Sequence, residues 1–450
     1  MTEAVILLPG VMGSELFSGH EMIWPGSVSE LLLPYQKMEQ LLDPALTVGD
    51  VIRSVSFSTQ YASLITALGT CGFVEAGEQP TLVVCPYDWR KDNALAAQRL
   101  ADRVMSLRMS HGEGLVINLV AHSMGGLVSR YFLESGQFSE ATHPGFGNVR
   151  RLITIGTPHR GAPVALHAVM GQVKRLFLSA SQVRQIASDT RFPALYQLVP
   201  PPTEPFLWDS NPASRLAPKS PHDPGVAAML GLSAPNLANA AAFHAALDVA
   251  RRPKGVDYFC FVGTRQRTIS NVRHDFANAA DTMPKLVEAE DGGDGTVPSW
   301  SASFAGMQQM LVGGDHAGLY KPREVLMTIA SLLGKPGVLA AMPVRDDIRL
   351  SLHDEVAAPK QVLALALFLS RRAKLDAELV IRKRTESDGK SLEPPVEISR
   401  SPVRYDGPPV DSITVEIVAP RFPGVYEVDI EVNTASVAES TAILFVQALT

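Results

Sequence analysis

Residues 121–126 have the sequence Ala-His-Ser-Met-Gly-Gly, which is typical of a nucleophile elbow. They follow an apolar stretch with the pattern of a buried strand and precede a stretch with helical spacing. Such a turn raises a serine hydroxyl at the carboxyl edge of a sheet and needs small residues two positions before and after the serine. Gly125 meets this demand, and Ala121 adds only one methyl group to the usual glycine. We therefore predict that Ser123 is a nucleophile; the alternative is an ordinary turn in which the serine caps a helix.

A serine hydroxyl is a weak nucleophile and needs a base that is itself oriented by an acid. When the nucleophile lies on such an elbow, the acid and then the histidine follow it along the chain. Asp294 and His316 satisfy this order, and both lie in loops whose glycines allow tight turns. We predict a triad of Ser123, Asp294 and His316. The alternative acids are Asp291, Glu288, Glu290 and Asp315.

Backbone N–H groups near the serine could stabilise an oxyanion. One donor is expected from Met124, at the start of the helix after the elbow, and the second from the loop after the first strand. In that loop, residues 9–14 (Pro-Gly-Val-Met-Gly-Ser), Val11 is our first choice and Met12 the second. The alternative is a plain turn. The residues predicted to contact substrate are His122, Trp24 and Gly10.

Strand and helix patterns alternate along the first three quarters of the chain. Buried-strand patterns occupy residues 4–8, 81–85, 115–120, 151–155, 256–262 and 310–312, and helical spacing occupies residues 60–68, 92–109, 124–133 and 323–333. This alternation predicts an α/β fold, namely a doubly wound, mostly parallel sheet of the α/β-hydrolase type. Residues 164–252 interrupt the rhythm and predict a helical cap insertion, and the irregular residues 17–50 are a candidate lid.

The pattern changes near residue 343. Short strand candidates follow at residues 348–352, 362–369, 375–382, 396–399, 413–418, 425–432 and 442–446. About seven short strands without helices predict an all-β, immunoglobulin-like sandwich. We therefore expect a catalytic domain over residues 1–343 and an accessory domain over residues 344–450.

Composition narrows the classes of function. The chain has 450 residues, of which 46% are hydrophobic and 19% charged, and its net charge is −6 with both signs mixed. This pattern argues against nucleic-acid binding, which needs a clustered basic face. The three cysteines fit neither a disulfide framework nor a zinc site, and we predict that Cys85 and Cys260 are buried thiols. No metal or cofactor motif was found. With neither a signal peptide nor a transmembrane stretch recognised, the expected location is cytoplasmic or peripheral to a membrane.

The chain resembles the lecithin:cholesterol acyltransferase family, which includes lysosomal phospholipase A2 and phospholipid:diacylglycerol acyltransferases. The resemblance covers roughly residues 4–335 and rests on short segments in the family's order. These segments are residues 8–14, 86–90 (Pro-Tyr-Asp-Trp-Arg), 121–126, 156–163, 196–200, 293–298 (Gly-Asp-Gly-Thr-Val-Pro) and 315–316. The resemblance implies the same triad, an oxyanion donor in the loop of Val11 and Met12 with Met124, a lid over an acyl-chain groove, and glycerophospholipid substrates. The disulfide that closes the lid in animal members has no counterpart, because the first cysteine here is Cys71.

Together these features predict a serine-dependent lipid acyl-ester hydrolase of phospholipase A type, or an acyltransferase that works through an acyl-serine intermediate. Its partner would be a lipid or phospholipid at a membrane surface. One alternative is a carboxylesterase or triacylglycerol lipase that acts on neutral esters. Another is an intracellular effector whose residues 344–450 dock a protein partner that controls it. We also expect Asp88 and Arg90 to brace the loops around the site.

Overall fold

The computed structural model describes residues 2–55, 58–278, 283–338, 346–432, 437–438 and 441–448. The strands are β1 (Glu3–Leu8), β2 (Ser14–Ser18), β3 (Glu21–Trp24), β4 (Thr47–Val51), β5 (Ser54–Val55), β6 (Ser58–Thr59), β7 (Leu82–Val84), β8 (Val116–His122), β9 (Val149–Ile155), β10 (Leu207–Asp209), β11 (Pro218–Lys219), β12 (Asp257–Thr264), β13 (Gln266–His274), β14 (Lys285–Gly293), β15 (Gln308–Gly313), β16 (Asp346–Leu352), β17 (Val356–Ala357), β18 (Val362–Thr385), β19 (Ser391–Val418), β20 (Gly424–Val432), β21 (Val437–Ala438) and β22 (Thr441–Val446). The α-helices are α1 (Val28–Leu31), α2 (Met38–Leu41), α3 (Ala62–Thr70), α4 (Asn93–His111), α5 (Met124–Glu134), α6 (Pro163–Val169), α7 (Ala180–Ser188), α8 (Pro224–Met229), α9 (Ala234–Ala245) and α10 (Arg323–Leu332). Short 3-10 helices lie at Phe146–Asn148, Pro193–Leu198, Pro212–Ser214 and Val249–Arg251.

The centre of the molecule is a parallel sheet with the strand order β15-β12-β9-β8-β1-β7. Strand β1 is buried on both faces, as its unbroken apolar run predicted. Its alternate residues enter two different cores, because successive side chains of a strand point to opposite faces. Ala4, Ile6 and Leu8 join one core, and Val5 and Leu7 join the other.

The strand order reverses beside β1. From β1 the chain adds β7 on one side, and then β8, β9, β12 and β15 on the other. At such a switch point the loops at the carboxyl ends of the two central strands separate and leave a crevice, which is where ligands bind in open α/β sheets. The loops after β1 and β8 are the ones that carry Val11 and Ser123.

The predicted α/β class is confirmed, since the sheet is parallel and helices follow its strands. The predicted positions of the six buried strands and four helices agree with the observed elements to within a few residues. Asp92 caps α4, because its side chain accepts the Ala94 N–H at 2.9 Å. These features fit an α/β hydrolase.

Two small sheets lie in regions where the sequence had predicted no strands. Residues 17–50, predicted to be irregular, form much of an antiparallel sheet of β3, β2 and β4, together with α1 and α2. A second sheet has the order β11-β10-β13-β14 and combines short strands of the predicted cap insertion with a hairpin over residues 266–293. Residues 164–252 otherwise hold short helices, as predicted.

The C-terminal part is all-β in its described residues, but its strands are longer than predicted. Residues 362–369 and 375–382 belong to the single strand β18 of 24 residues, and residues 396–399 and 413–418 belong to β19 of 28 residues. The two form one long antiparallel hairpin, and β16 and β20 pair with the other edge of β18. The prediction that all the strands are short is therefore wrong for β18 and β19, and an immunoglobulin-like arrangement is not confirmed. The predicted domain boundary at residues 343–344 lies outside the described residues.

The end of the chain packs on the segment of residues 26–36, here called the strap. Gln447 Nε2 donates hydrogen bonds to the carbonyl oxygens of Leu31 and Leu33, both at 2.9 Å. The Phe445 ring meets Phe177 of the predicted cap edge-on, at a centroid distance of 5.3 Å. The C-terminal part thus touches both the strap and the predicted cap.

The three cysteines are free and buried, which confirms the prediction for Cys85 and Cys260. Within the described part of the chain, no helix combines the length and the apolar character needed to cross a membrane.

Candidate active site

Ser123 lies at the turn between β8 and α5 with a positive φ, at φ 53° and ψ −126°. Residues other than glycine rarely adopt positive φ, and such a strained turn is what raises a nucleophile above the sheet. The turn is closely packed: a Cβ at Gly125 would lie 2.6 Å from the Pro9 carbonyl oxygen, and one at Gly126 would lie 2.0 Å from Thr157 Oγ1. The predicted demand for small residues after the serine thus has a direct steric cause.

The structure brings together the three residues of the predicted triad. His316 Nε2 lies 2.9 Å from Ser123 Oγ, and His316 Nδ1 lies 2.7 Å from Asp294 Oδ2. A carboxylate only accepts hydrogen bonds, so Nδ1 carries the proton and Nε2 is free to accept the serine proton. The geometry is therefore that of a serine and a base ready for proton transfer.

Asp294 is held in place by its own loop. Its Oδ1 accepts the N–H groups of Thr296 at 3.0 Å and Val297 at 2.7 Å, while its Oδ2 faces His316. The side chain is fully buried. In addition, the His316 N–H donates to the Asp294 carbonyl at 2.9 Å, so backbone and side chain both fix the pair.

The alternative acids lie elsewhere. Asp291 is exposed, and Glu288 and Glu290 form ion pairs with Arg267. Asp315 accepts the Gly318 N–H through its side chain at 2.8 Å instead of facing the histidine ring. Of the candidates, Asp294 is the one that contacts the imidazole.

The predicted oxyanion loop lies directly against the nucleophile. A Cβ at Gly10 would lie 2.8 Å from Ser123 Cβ, so glycine is needed for this close approach. Within the described residues, the N–H groups of Val11, Met12 and Met124 donate no hydrogen bonds. Each is thus available as a donor beside the serine, and the choice between Val11 and Met12 stays a prediction.

Glycines near the ends of the strands β1, β9 and β12 make room for the triad. Besides Gly10 next to the serine, Gly156 after β9 lies against His316, since its Cβ would stand 3.2 Å from the ring nitrogen Nδ1. Gly263 in β12 lies against Asp294, and its Cβ would stand 2.3 Å from that residue's Cβ. Gly263 could not be identified from the sequence, because a glycine near a strand end is common and its neighbour Asp294 is distant in the chain.

His122, predicted to contact substrate, lies behind the triad and is almost completely buried. Its Nδ1 lies 2.8 Å from Tyr61 Oη, and its Nε2 lies 3.0 Å from the His316 carbonyl oxygen. Burial, together with the neighbouring His316, lowers the pKa of His122 to about 3, so the ring is neutral. Sequence reasoning missed Tyr61, because its spacing in the helix pattern of residues 60–68 suggested only an apolar face.

Trp24 is buried in an aromatic cluster with Tyr35 and Trp89. Its Nε1 donates to the Met12 carbonyl at 2.9 Å, so it contacts the oxyanion loop from behind. Its predicted contact with substrate stays a prediction.

Arg90 is fully buried and braces the segment that follows the strap. It forms two hydrogen bonds with the Asp88 carboxylate, at 2.9 and 2.7 Å, and donates to the carbonyl oxygens of Leu41 and Asp43. Its guanidinium also lies over the Phe192 ring of the cap, 4.5 Å from the centroid. This is the arrangement that we expected for Asp88 and Arg90.

A cavity of about 420 Å³ lies beside the strap. Its wall is mainly apolar, with the charged Glu15, Glu30 and Lys37 among its lining residues. It adjoins the oxyanion loop, because Ile52 of its wall donates its N–H to the Gly13 carbonyl at 2.9 Å. Among the described residues, no group of three or more His, Cys, Asp or Glu side chains is arranged to hold a metal ion.

One family model and one curated relative match parts of this chain. Residues 52–220 match the family model of lecithin:cholesterol acyltransferase. A curated relative, lecithin-cholesterol acyltransferase-like 4 of Arabidopsis thaliana, is 24% identical over 354 residues, which is 66% of this chain. The match spans only 62% of that relative's length.

Similarities to solved structures are weak. The phospholipase PlaB from Legionella pneumophila in complex with thio-NAD has a TM-score of 0.28 and 10% identity, with 97% of this chain and 86% of that chain covered. A chitin binding domain from Burkholderia pseudomallei has a TM-score of 0.17 and 13% identity, with 21% of this chain and 56% of that chain covered. The family match and the curated relative together support a lecithin:cholesterol acyltransferase-like family for this chain.

Proposed function

We propose that this chain is a serine-dependent lipid acyl-ester hydrolase of phospholipase A type, with Ser123 as nucleophile, His316 as base and Asp294 as orienting acid. The observation that carries the proposal is the hydrogen-bonded series from Ser123 Oγ to His316 (2.9 Å) and from His316 to Asp294 (2.7 Å). It lies at the reversal of strand order, beside backbone N–H groups that have no acceptor within the described residues.

In the first half of the reaction, Ser123 Oγ attacks the ester carbonyl carbon and its proton passes to His316 Nε2. Asp294 stabilises the resulting imidazolium through Nδ1–H. The developing oxyanion accepts hydrogen bonds from the N–H groups of Met124 and Val11. Each such donor stabilises the transition state by about 3 kcal/mol in comparable sites. When the tetrahedral intermediate collapses, the ester C–O bond breaks and the leaving alcohol takes the proton from His316.

In the second half, water attacks the acyl-serine carbonyl while His316 accepts a proton from that water. Collapse of the second tetrahedral intermediate releases the fatty acid and returns the proton to Ser123 Oγ. An alcohol that takes the place of water would receive the acyl group instead, which is the acyltransferase alternative.

A lipid substrate is supported by the match to the lecithin:cholesterol acyltransferase family model and by the curated relative. We propose that such substrates are reached at a membrane surface. One alternative is a carboxylesterase or triacylglycerol lipase that acts on neutral esters. Another is that residues 344–450 dock a protein partner that controls the enzyme.

The test is incubation of the protein with phosphatidylcholine vesicles, followed by mass spectrometry of the lipids. The wild type should release fatty acid and lysophospholipid, and Ser123→Ala should release neither. The matched control is Ser129→Ala, which removes another buried serine hydroxyl close to the start of the same helix. The Ser129 hydroxyl donates to the Gly125 carbonyl, and this variant should stay active. Products confined to short-chain or neutral esters would overturn the phospholipase assignment, and a new ester on an added alcohol would identify an acyltransferase.

A further inference from the structure

A continuous series of hydrogen bonds runs behind the triad. The Gly10 N–H lies 2.8 Å from Tyr61 Oη, Tyr61 Oη lies 2.8 Å from His122 Nδ1, and His122 Nε2 lies 3.0 Å from the His316 carbonyl oxygen. Tyr61 and His122 are buried, with 4% and 6% of their surface exposed, so water does not compete for these partners.

Chemistry fixes the direction of every bond in this series. A carbonyl oxygen can only accept, so His122 Nε2 must carry a proton and donate it to His316. The pKa of His122 is lowered to about 3 by burial, so the ring is neutral and Nδ1 has a free lone pair. Nδ1 therefore accepts the Tyr61 O–H, and the Tyr61 oxygen accepts the Gly10 N–H. Tyr61 and His122 thus each donate one hydrogen bond and accept one, and with a neutral ring no other assignment of protons satisfies all three contacts.

The two ends of the series are the two groups that must be placed against Ser123. At one end, Gly10 precedes Val11, and its backbone approaches Ser123 closely enough that a Cβ would lie 2.8 Å from the serine Cβ. At the other end is the backbone of His316, whose ring accepts the serine proton. The series thus spans from the oxyanion loop to the base.

Aromatic packing holds the Tyr61 and His122 rings in place. The Tyr61 ring stacks on Tyr320 at a centroid distance of 5.3 Å, and Tyr320 meets His122 edge-on at 5.0 Å. Tyr320 itself lies four residues after His316, in the same connection. Movement of either ring would therefore disturb both the loop and the histidine.

We propose that Tyr61 and His122 are positioning residues that couple the oxyanion loop to the catalytic histidine through their shared hydrogen bond. This inference rests on the proposed function of the triad. Neither residue donates to the substrate or takes part in proton transfer in this account; the pair sets the distance between the oxyanion donors and the base.

The test compares Tyr61→Phe, His122→Asn and the double variant with the wild type in an esterase assay. Tyr61→Phe removes one oxygen atom and keeps the stacked ring. We expect it to lower kcat by about ten- to a hundredfold, because small misplacements of a catalytic group have effects of this size, and to leave KM within about twofold. If the two residues act as one unit, the double variant should lose little more than the larger single loss.

The matched control is Tyr196→Phe. Tyr196 is also buried, and its hydroxyl also accepts a backbone N–H at 2.8 Å, that of Ser233, but it lies in the predicted cap. Both tyrosine variants should lower the melting temperature by similar amounts, and only Tyr61→Phe should lower kcat. Equal effects of the two on kcat, or additive losses in the double variant, would overturn the inference.

A second measurement does not depend on turnover. In ¹⁵N NMR spectra of the histidine side chains, His122 should be neutral with the proton on Nε2, and Tyr61→Phe should shift the ring resonances of His316. Unchanged His316 resonances would overturn the coupling. If the wild type hydrolyses no ester while these resonances respond, the proposed function fails and the structural coupling stands.

Discussion

Replacement of Asp294 by Asn should produce the wrong tautomer of the base. In the wild type, Asp294 Oδ1 accepts two backbone N–H groups at 3.0 and 2.7 Å, and Oδ2 accepts the His316 Nδ1–H. An asparagine would keep its carbonyl oxygen on the two N–H groups, so its NH₂ group would face Nδ1. Because NH₂ can only donate, Nδ1 would have to accept, and the proton would move to Nε2, where it blocks transfer from Ser123.

The expected loss of kcat is large because His316 has the wrong tautomer in nearly every molecule of the variant. In serine protease triads, the same change lowers kcat by about 10⁴-fold, which corresponds to about 5.4 kcal/mol of activation free energy. The KM should change little, since the buried carboxylate does not face the substrate. The assay is steady-state hydrolysis of a soluble ester at neutral pH, with the melting temperature as a check of folding.

Asp291→Asn is the matched control. It makes the same chemical change three residues earlier, on an exposed side chain that does not contact the triad, and should retain wild-type kcat. The reasoning would be refuted if Asp294→Asn kept more than about a tenth of the wild-type kcat, or if Asp291→Asn lost as much activity.

Three further predictions follow from buried contacts. Gly263→Ala should lower kcat about a hundredfold, because its new Cβ would lie 2.3 Å from the Asp294 Cβ and displace that residue. Steady-state kinetics would measure this loss. Glu134→Gln should lower the free energy of unfolding by about 3–5 kcal/mol in urea titrations, because it leaves the buried Arg130 without its anion. The free energy of unfolding should fall as the pH drops below about 6.5, because the unfolded chain binds protons that the native state excludes. Each buried neutral histidine should contribute about 1.4 kcal/mol per pH unit to this fall. Calorimetry in buffers of different ionisation enthalpy should detect this uptake on unfolding near pH 5.5, and its absence would contradict the lowered pKa values. The histidines concerned are His122, His159, His167 and His244.

The central sheet and the meeting of Ser123, Asp294 and His316 at its edge could be predicted from the sequence for physical reasons. Parallel strands buried on both faces need continuous apolar runs, and these runs marked all six strands of the sheet. Since the carboxyl ends of these strands meet at one edge, residues that follow different strands can be expected to converge. Ser123 follows β8 directly, and Asp294 and His316 lie in glycine-rich loops of the same edge, so residue type, order and loop composition were enough to select them.

Other parts of the fold and site depend on contacts that a single sequence does not reveal. The hairpin of β13 and β14 was missed because its residues are largely polar and half-buried. The charged Arg371 and Arg372 suggested a break in what is one continuous strand, β18. The role of Gly263 depends on Asp294, 31 residues away, and the role of the Tyr61 hydroxyl depends on His122, 61 residues away. These contacts form only when the chain is folded.

The most direct test of the account is to trap the acyl-enzyme. The protein would be mixed with a phospholipid whose acyl chain carries a heavy isotope label, quenched in acid within milliseconds to seconds, digested and analysed by peptide mass spectrometry. We expect the labelled acyl group to accumulate as an ester on Ser123 in the wild type and to be absent from Ser123→Ala. Turnover without any acyl-Ser123, or an acyl group attached to another residue, would contradict the assignment of Ser123 as the nucleophile.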